Sequence, residues 1–299
     1  MIGAFVLAAL ALVPSVWAGR GVVRSGSPEL ERLVSGTRPT VLCATGTDVE
    51  RTWSAWRATG DLAFVRAGWD GLAGVFPPCD AGAGPADGVL AAPGAVPGFV
   101  RAFADACRQC RDARRMAEMG AALGLDEAAV AYEAAADAMR ERLAAVCVGR
   151  DGRLLPVFRG SPSAALFALR LGFLDGDSAR SAAFAGVADL VADGVGVDAE
   201  ACGEATAWLI ETQAGIRPGT DGGYDVEFHL TPEPEARIGA VEASYRTANG
   251  LIRSGWRFEG GKCRWRFSVP KGATALVCAN GLCREYGSGD HALTLEPAE

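Results

Sequence analysis

Two glutamates, Glu200 and Glu204, have the residue type and spacing for acid–base chemistry. They stand four positions apart in a stretch of helical periodicity, so both carboxylates are expected on one face of a helix. Neighbouring carboxylates can pass a proton to and from a reacting group. The alternative is that two exposed glutamates near the start of a helix only stabilise its dipole.

Cysteine and histidine do not form a recognisable metal site. Cys107 and Cys110 have CxxC spacing, but they lie in a helical run with no second CxxC pair and no histidine nearby. Two interpretations remain: a metal or redox site, or partly buried free thiols one helical turn apart. His229 and His291 fall in the C-terminal region, far along the chain from any acid cluster, which favours structural or surface roles. We predict no cofactor.

Composition limits the partners of the chain. Its 299 residues are 49% hydrophobic and 22% charged, which is ordinary for a globular protein with one large core or two modest ones. The net charge of -7 gives no basic footprint and argues against a nucleic-acid partner.

The first eighteen residues are apolar and end in Val16-Trp17-Ala18, with small residues where a signal peptidase cleaves. This pattern predicts a signal peptide at residues 1–18, no membrane span after its removal, and a secreted or periplasmic protein. The stretch lacks an early Lys or Arg, so the alternative is a buried helix of a cytoplasmic protein. Export would allow Cys278 and Cys283, which flank an Asn-Gly turn signal, to pair across a hairpin.

The elements that position these residues change class along the chain. Before Gly215 the apolar residues recur at helical spacing, whereas after Tyr224 they alternate with polar residues. Helices are predicted at residues 28–33, 61–75, 100–123, 127–147, 161–174, 178–192 and 202–214. Strands are predicted at residues 241–245, 250–256, 263–269, 274–278 and 291–295. Helical hairpins in succession are typical of an (α/α) toroid, although they are fewer here than a complete ring contains.

The helix-to-strand junction carries an ordered series of short motifs. They are Ala214-Gly-Ile-Arg-Pro218, Gly223-Tyr224 with Pro232, residues 241–245, residues 250–256 and Val269-Pro-Lys-Gly-Ala-Thr-Ala-Leu-Val277. Their order resembles the C-terminal end of bacterial alpha-L-rhamnosidases, which are six-hairpin glycoside hydrolases. Upstream, Gly46-Thr-Asp48 with Trp53 and Trp56, and Gly203 with Trp208, are similar to pieces of the toroid of that family.

This resemblance implies an α+β multidomain fold. We expect an incomplete (α/α)6 toroid-like helical domain at residues 19–215 and a small antiparallel β-sandwich at residues 216–299.

The resemblance does not extend to the catalytic motifs. An inverting glycosidase needs one carboxyl to protonate the leaving oxygen and another to activate water. The family places the acid in an Asp-Arg-Glu stretch and the base near Gly-Ala-Thr-Thr-x-Trp-Glu, and neither motif occurs. Upstream of Asp48 stand only Glu29 and Glu31, and Asp198-Ala-Glu200-Ala201 occupies the place of an expected Asn-His pair.

Part of a sugar-binding wall is implied by Asp48, Trp53 and Trp56. The two indoles would contact the apolar face of a sugar, and the carboxylate would accept hydroxyl hydrogen bonds. The alternative places both tryptophans in the core and Asp48 at a helix N-cap.

Three functions remain open. The first is an alpha-L-rhamnosidase-like hydrolase acting on terminal deoxy-sugars of polysaccharides or glycosides, active or inactive. The second is a non-catalytic carbohydrate-binding remnant or truncated gene product, and the third is a purely structural protein. The first two take a carbohydrate as partner, and the oligomeric state is not predicted.

Overall fold

The computed structural model describes residues 21–28, 30–31, 47–78, 98–174, 176–193, 199–219 and 223–295. The predicted signal peptide, Glu29 and Gly46 lie outside this part, as does most of the glycine-rich and proline-rich stretch before the third helix.

The helical part is built from hairpins, as predicted. Its helices are α1 (Asp48–Thr59), α2 (Ala63–Val75), α3 (Phe99–Ala122), α4 (Asp126–Cys147), the short α5 (Pro156–Arg159), α6 (Pro162–Arg170), α7 (Asp177–Ala192) and α8 (Ala199–Ala207). Helices α1, α3, α6 and α8 contact one another in succession, and we call them the inner helices. Helices α2, α4 and α7 pack beside α1, α3 and α6 as their hairpin partners.

Local signals explain where these helices begin and end. The hydroxyl of Thr47, the N-cap of α1, accepts a hydrogen bond from the backbone N–H of Glu50 at 3.0 Å. Gly60 ends the same helix in the left-handed conformation, at φ 69°. Gly124, at φ 75°, makes the tight turn between α3 and α4. The predicted α3–α4 hairpin is therefore confirmed with bounds shifted by one residue, whereas α6 ends four residues before the predicted end and α8 begins three residues before the predicted start.

Helix α8 continues into a π-helix at Trp208–Gln213, and the chain then turns sharply at Gly215. Gly215 has φ 71°, and a Cβ at this position would lie 2.2 Å from the backbone carbon of Thr231. Only glycine fits, because both the positive φ and the close approach exclude a side chain.

The strands form two sheets. They are β1 (Gly21–Ser25), β2 (Ile216–Pro218), β3 (Glu227–Leu230), β4 (Ala240–Thr247), β5 (Gly250–Glu259), β6 (Lys262–Val269), β7 (Thr274–Ala279), β8 (Leu282–Tyr286) and β9 (Gly289–Leu295). The five-stranded sheet has the order β1-β4-β5-β6-β9, and the four-stranded sheet has the order β2-β3-β7-β8. The predicted sandwich is present, although β3 and β7 pair in parallel. The sequence pattern does not predict β1, which pairs with β4 far along the chain.

The sandwich core follows the alternation seen in the sequence. Trp256 on β5 and Trp265 on β6 are paired across the strands, and both are buried. Cys278 and Cys283 form a disulfide across the β7–β8 hairpin.

Hydrogen bonds join the five-stranded sheet to the end of the π-helix. The indole N–H of Trp256 donates to the carbonyl of Gln213 at 2.7 Å, and Ser254 Oγ donates to the carbonyl of Ala214 at 2.6 Å. Among the described helices, none is both long and apolar enough to cross a membrane.

Candidate functional site

Charged side chains from every inner helix meet on the inner side of the helical part. We call this group the inner ion network. Its members are Glu50 on α1, Arg111, Asp112 and Arg115 on α3, Arg170 on α6, Glu204 on α8 and Glu211 on the π-helix. It includes Glu204, one of the two predicted catalytic candidates.

Glu204 is held between two guanidinium groups. One carboxylate oxygen accepts from Arg111 at 2.7 Å, and the other accepts from Arg170 at 2.9 Å. The residue is only 5% exposed. Burial alone would raise the pKa of Glu204, but the charges of Arg170 and Arg111 outweigh it and hold the pKa below its ordinary value.

Arg170 also binds Glu211 through two nitrogens. Its Nε and Nη2 lie 3.1 and 2.9 Å from the same carboxylate oxygen. Burial would lower the pKa of Arg170, but Glu211 and Glu204 raise it well above its ordinary value. Arg170 is therefore a fixed positive charge that ties α6 to α8 and to the π-helix.

Glu50 anchors the other side of the network. Its carboxylate lies 3.0 Å from Arg111 and also pairs with Arg115. Burial would raise the pKa of Glu50, but Arg115 and Arg111 together lower it to about 2. Because Arg111 binds both Glu50 and Glu204, one side chain of α3 connects α1 with α8.

Asp112 completes the group. It accepts from Thr47 Oγ1 at 2.6 Å, and Arg115 lies 3.3 Å from its other oxygen. Burial raises the pKa of Asp112, and the charges of Arg115 and Arg111 offset only part of that increase. Thr47 thus caps α1 with one contact and binds α3 with another.

This arrangement restricts the chemistry of Glu204. A general acid must carry a proton near neutral pH, whereas arginine contacts keep this carboxylate ionised. Both oxygens already accept hydrogen bonds from guanidinium groups. Glu200 lies in the first turn of α8, and its side chain is outside the described part.

The predicted sugar-binding residues do not share an open surface. Asp48, with a side chain 48% exposed, is the first residue of α1 and pairs with Arg51, while Thr47 is the N-cap. Trp56 is 2% exposed, and the guanidinium carbon of Arg57 lies 4.2 Å from the centre of its ring. Its indole face is therefore not available to a ligand in this structure.

Trp53 is bound on its edge and covered on its face. The indole N–H donates to Glu118 at 2.7 Å, and the guanidinium carbon of Arg115 lies 4.6 Å from the ring centre. Trp53 as a whole is 8% exposed. A role for Asp48, Trp53 and Trp56 in sugar binding stays a prediction.

The cysteines and histidines occupy separate environments. Cys107 and Cys110 are buried in α3, and burial raises the pKa of the Cys110 thiol to about 11. His229 lies 3.5 Å from Glu227, and His291 lies 2.9 Å from the carbonyl of Gly287. Within the described ranges, no three His, Cys, Asp or Glu side chains are grouped as metal ligands would be.

A cleft of about 1260 Å³ opens between the helical part and the sheets. Helix α7 forms one wall, with Gly186 and Asp189, and residues 232–237 form part of another. Phe258, which is partly exposed, contributes aromatic surface, and Thr212 contributes a hydroxyl. Trp208 also borders the cleft but is only 3% exposed. No motif in the sequence identifies this cleft, because its walls come from segments far apart along the chain.

Comparison with known proteins identifies the C-terminal domain and the fold. Residues 215–293 match the family model for the bacterial alpha-L-rhamnosidase C-terminal domain. The structure is similar to that of an alpha-L-rhamnosidase from Aspergillus terreus, at 13% identity and a TM-score of 0.51 over 84% of this chain and 38% of the other. It is also similar to the enzyme from Dictyoglumus thermophilum, at 14% identity and a TM-score of 0.51 over 83% of this chain and 39% of the other.

These comparisons confirm the predicted resemblance at the level of the C-terminal domain and the overall fold. The chain spans less than two fifths of the length of either structure. A search among curated proteins found no significant match.

Proposed function

We propose that this chain is a rhamnosidase-like protein that binds a carbohydrate without hydrolysing it. The observation that carries the proposal is the position of Glu204, whose two carboxylate oxygens are bound by Arg111 and Arg170.

Inverting hydrolysis of a glycoside requires a protonated carboxyl and an ionised one on opposite sides of the sugar. The general acid of such enzymes has a raised pKa, usually because burial is not compensated by a nearby cation. Glu204 and Glu50 both have lowered pKa values, since arginines compensate their burial. They are therefore suited to holding the inner helices together.

The cleft is the best candidate for the carbohydrate site. Sugar sites combine aromatic surface with convergent hydrogen-bonding groups in a concave space. Phe258 supplies partly exposed aromatic surface, and Asp189 and Thr212 supply polar groups. Asp189 is exposed and takes part in no ion pair among the described residues, so its carboxylate can accept hydroxyl hydrogen bonds.

Hydrolysis is tested with the purified chain and p-nitrophenyl alpha-L-rhamnoside. We expect no release of nitrophenol above the buffer rate between pH 4 and pH 8. Release above the buffer rate by the parent chain would contradict the proposal. If that release were abolished in Glu204→Gln, with unchanged circular dichroism, catalysis would be assigned to the inner ion network.

Binding is tested by calorimetric titration with L-rhamnose and a rhamnose-containing oligosaccharide. A Cβ added at Gly186 meets no atom within 4 Å, so Gly186→Phe introduces a ring at the cleft wall without a backbone clash. Gly71→Phe is the matched control, because Gly71 is an exposed helical glycine on α2 with the same free space.

We expect saturable binding by the parent and by Gly71→Phe, and a loss of about tenfold or more in Gly186→Phe, which corresponds to about 1.4 kcal/mol of binding free energy. Equal binding affinities of Gly186→Phe and Gly71→Phe would exclude the cleft as the carbohydrate site. Absence of a saturable signal in the parent would contradict carbohydrate binding.

A further inference from the structure

The outer face of the five-stranded sheet carries a cluster of arginines. Along β5 and β6 the residues at alternate positions point away from the core, and all four arginines among them are exposed. We call this surface the arginine face. It consists of Arg253, Arg257, Arg264 and Arg266.

Strand register brings these cations together. Arg257 lies directly opposite Arg264, a like-charge pair that weakens strand pairing when nothing neutralises it. Gly255 lies opposite Arg266 on one side and opposite the exposed Glu242 on the other, and the side chain of Glu242 lies beside the glycine. Because the Arg257–Arg264 pair does not stabilise the sheet by itself, it favours a binding role for this surface.

Among the described residues, three carboxylates share this face with the four arginines and Lys262: Glu242 on β4, Glu259 on β5 and Asp290 on β9. Arg264 lies 3.5 Å from Glu259, and both side chains are more than half exposed. Within the described residues, the guanidinium groups of Arg253, Arg257 and Arg266 form no ion pair with a carboxylate. This contrasts with the inner ion network, where every arginine is bound to at least one carboxylate. The arginine face is also a local reversal of charge on a chain whose net charge is -7.

We propose that the arginine face binds an anionic polysaccharide, one that carries carboxylate or sulfate groups. Guanidinium groups bind such anions through paired N–H donors. Neighbouring strands are about 4.8 Å apart and alternate residues along a strand are about 7 Å apart, so the four arginines present a grid of donors to an extended chain. The surface is an open sheet face with more cations than carboxylates, which fits a polymer better than a small enclosed ligand.

The choice of a polysaccharide over another polyanion rests on the proposed function. The arginine face and the cleft are nevertheless independent sites, since none of the four arginines lines the cleft. Nucleic acid and an anionic membrane surface are the competing partners, and the experiment distinguishes them.

The test measures binding of the full chain to immobilised polygalacturonate in about 0.15 M salt, where unspecific long-range attraction is screened. Dextran serves as the neutral polymer, and double-stranded DNA and vesicles with anionic headgroups represent the competing partners. Arg257→Gln/Arg266→Gln removes two charges from the arginine face. Arg66→Gln/Arg101→Gln is the matched control, because both arginines are exposed on helices and form no ion pair among the described residues.

We expect binding to polygalacturonate but not to dextran, a loss of about tenfold or more in the Arg257/Arg266 variant, and a change of less than about twofold in the control. Equal losses in the two variants would overturn the proposal, as would absence of binding or tighter binding to DNA or vesicles. If polygalacturonate fails to bind while L-rhamnose still titrates the cleft, only the arginine face is excluded. Hydrolysis of the rhamnoside would contradict the proposed function alone.

Discussion

The guanidinium group of Arg111 lies 2.7 Å from the carboxylate of Glu204, although 93 positions separate the two residues. A second nitrogen of the same guanidinium lies 3.0 Å from Glu50. Helices α1, α3 and α8 are therefore connected through a single side chain. Burial of charges is unfavourable unless each is paired, so removing one member weakens the compensation of the charges it contacts.

Glu204→Gln is expected to destabilise the chain strongly. The substitution keeps the side-chain shape but removes the negative charge between Arg111 and Arg170. Two buried guanidinium groups then lose a partner, and we expect the free energy of unfolding to fall by about 3 kcal/mol. The loss is measured by urea denaturation at pH 7.

Glu259→Gln is the control for this prediction. Glu259 pairs with Arg264 at 3.5 Å, and both side chains are largely in contact with water. Exposed ion pairs contribute less than about 1 kcal/mol, so this variant should be close to the parent. If Glu204→Gln and Glu259→Gln lowered the free energy of unfolding by similar amounts, the inner ion network would contribute no more to stability than a surface ion pair.

Acid should destabilise the folded chain through Glu50. Its folded pKa is about 2, against an ordinary value of 4.5, so the folded state favours the ionised form. The resulting stabilisation is fully present above pH 4.5 and is lost as the pH falls towards 2, with a magnitude of about 3 kcal/mol. Glu204, whose pKa is also lowered, acts in the same direction. Asp112 has a raised pKa and acts in the opposite direction, offsetting part of the effect.

The measurement is the free energy of unfolding at pH 7, 5, 4 and 3, for the parent and for Glu50→Gln. The parent should lose stability steeply below pH 5, and the variant should be less stable at pH 7 but less sensitive to acid. A variant with the same pH dependence as the parent would exclude Glu50 as the source of the sensitivity.

Much of the fold follows from the sequence, because its signals are local. The periodicity of residues 100–147 and the glycine between the two helices determine the α3–α4 hairpin, and alternation determines β4 to β7. Strand β1 could not be predicted, because a five-residue strand has too short a pattern and its partner β4 lies more than 200 positions away.

The candidate site was less accessible to prediction than the fold. Glu204 was identified by its spacing from Glu200, but its role depends on Arg111 and Arg170, which belong to other helices. No spacing rule links an arginine on α3 to a glutamate on α8, since only tertiary packing brings them together. The burial of Trp53 and Trp56 agrees with the alternative that places both in the core, although their cover by Arg57 and Arg115 is not visible as a motif.

Thiol labelling should separate the described cysteines into two classes. Cys278 and Cys283 are joined, and peptide mapping without reduction should recover them as one linked species. The other five described cysteines carry thiols and are all buried: Cys107, Cys110, Cys147, Cys202 and Cys263. Burial raises the pKa of Cys147 to about 12, so little reactive thiolate is present at pH 8.

The labelling experiment uses Cys43→Ser/Cys79→Ser, which removes the two cysteines outside the described residues. We expect native-state labelling of the five thiols to be slower than in urea by about 100-fold or more, since each must wait for local opening. Rapid native labelling of Cys107 or Cys110 would instead indicate an accessible CxxC pair.

Ser254→Ala tests the connection between the sandwich and the π-helix. The hydroxyl of Ser254 donates to the carbonyl of Ala214 at 2.6 Å and accepts from the indole N–H of Trp265 at 2.9 Å. All three residues are buried, so removing the hydroxyl leaves a donor and an acceptor without these partners, at a cost of about 2 to 3 kcal/mol. Ser268→Ala on β6 is the matched control, because its hydroxyl binds Asp290 at the surface and its loss should cost less than about 0.5 kcal/mol. Urea denaturation followed by tryptophan fluorescence compares the two variants, and equal stability would mean that the Ser254 hydrogen bonds do not hold the sheet to the helix end.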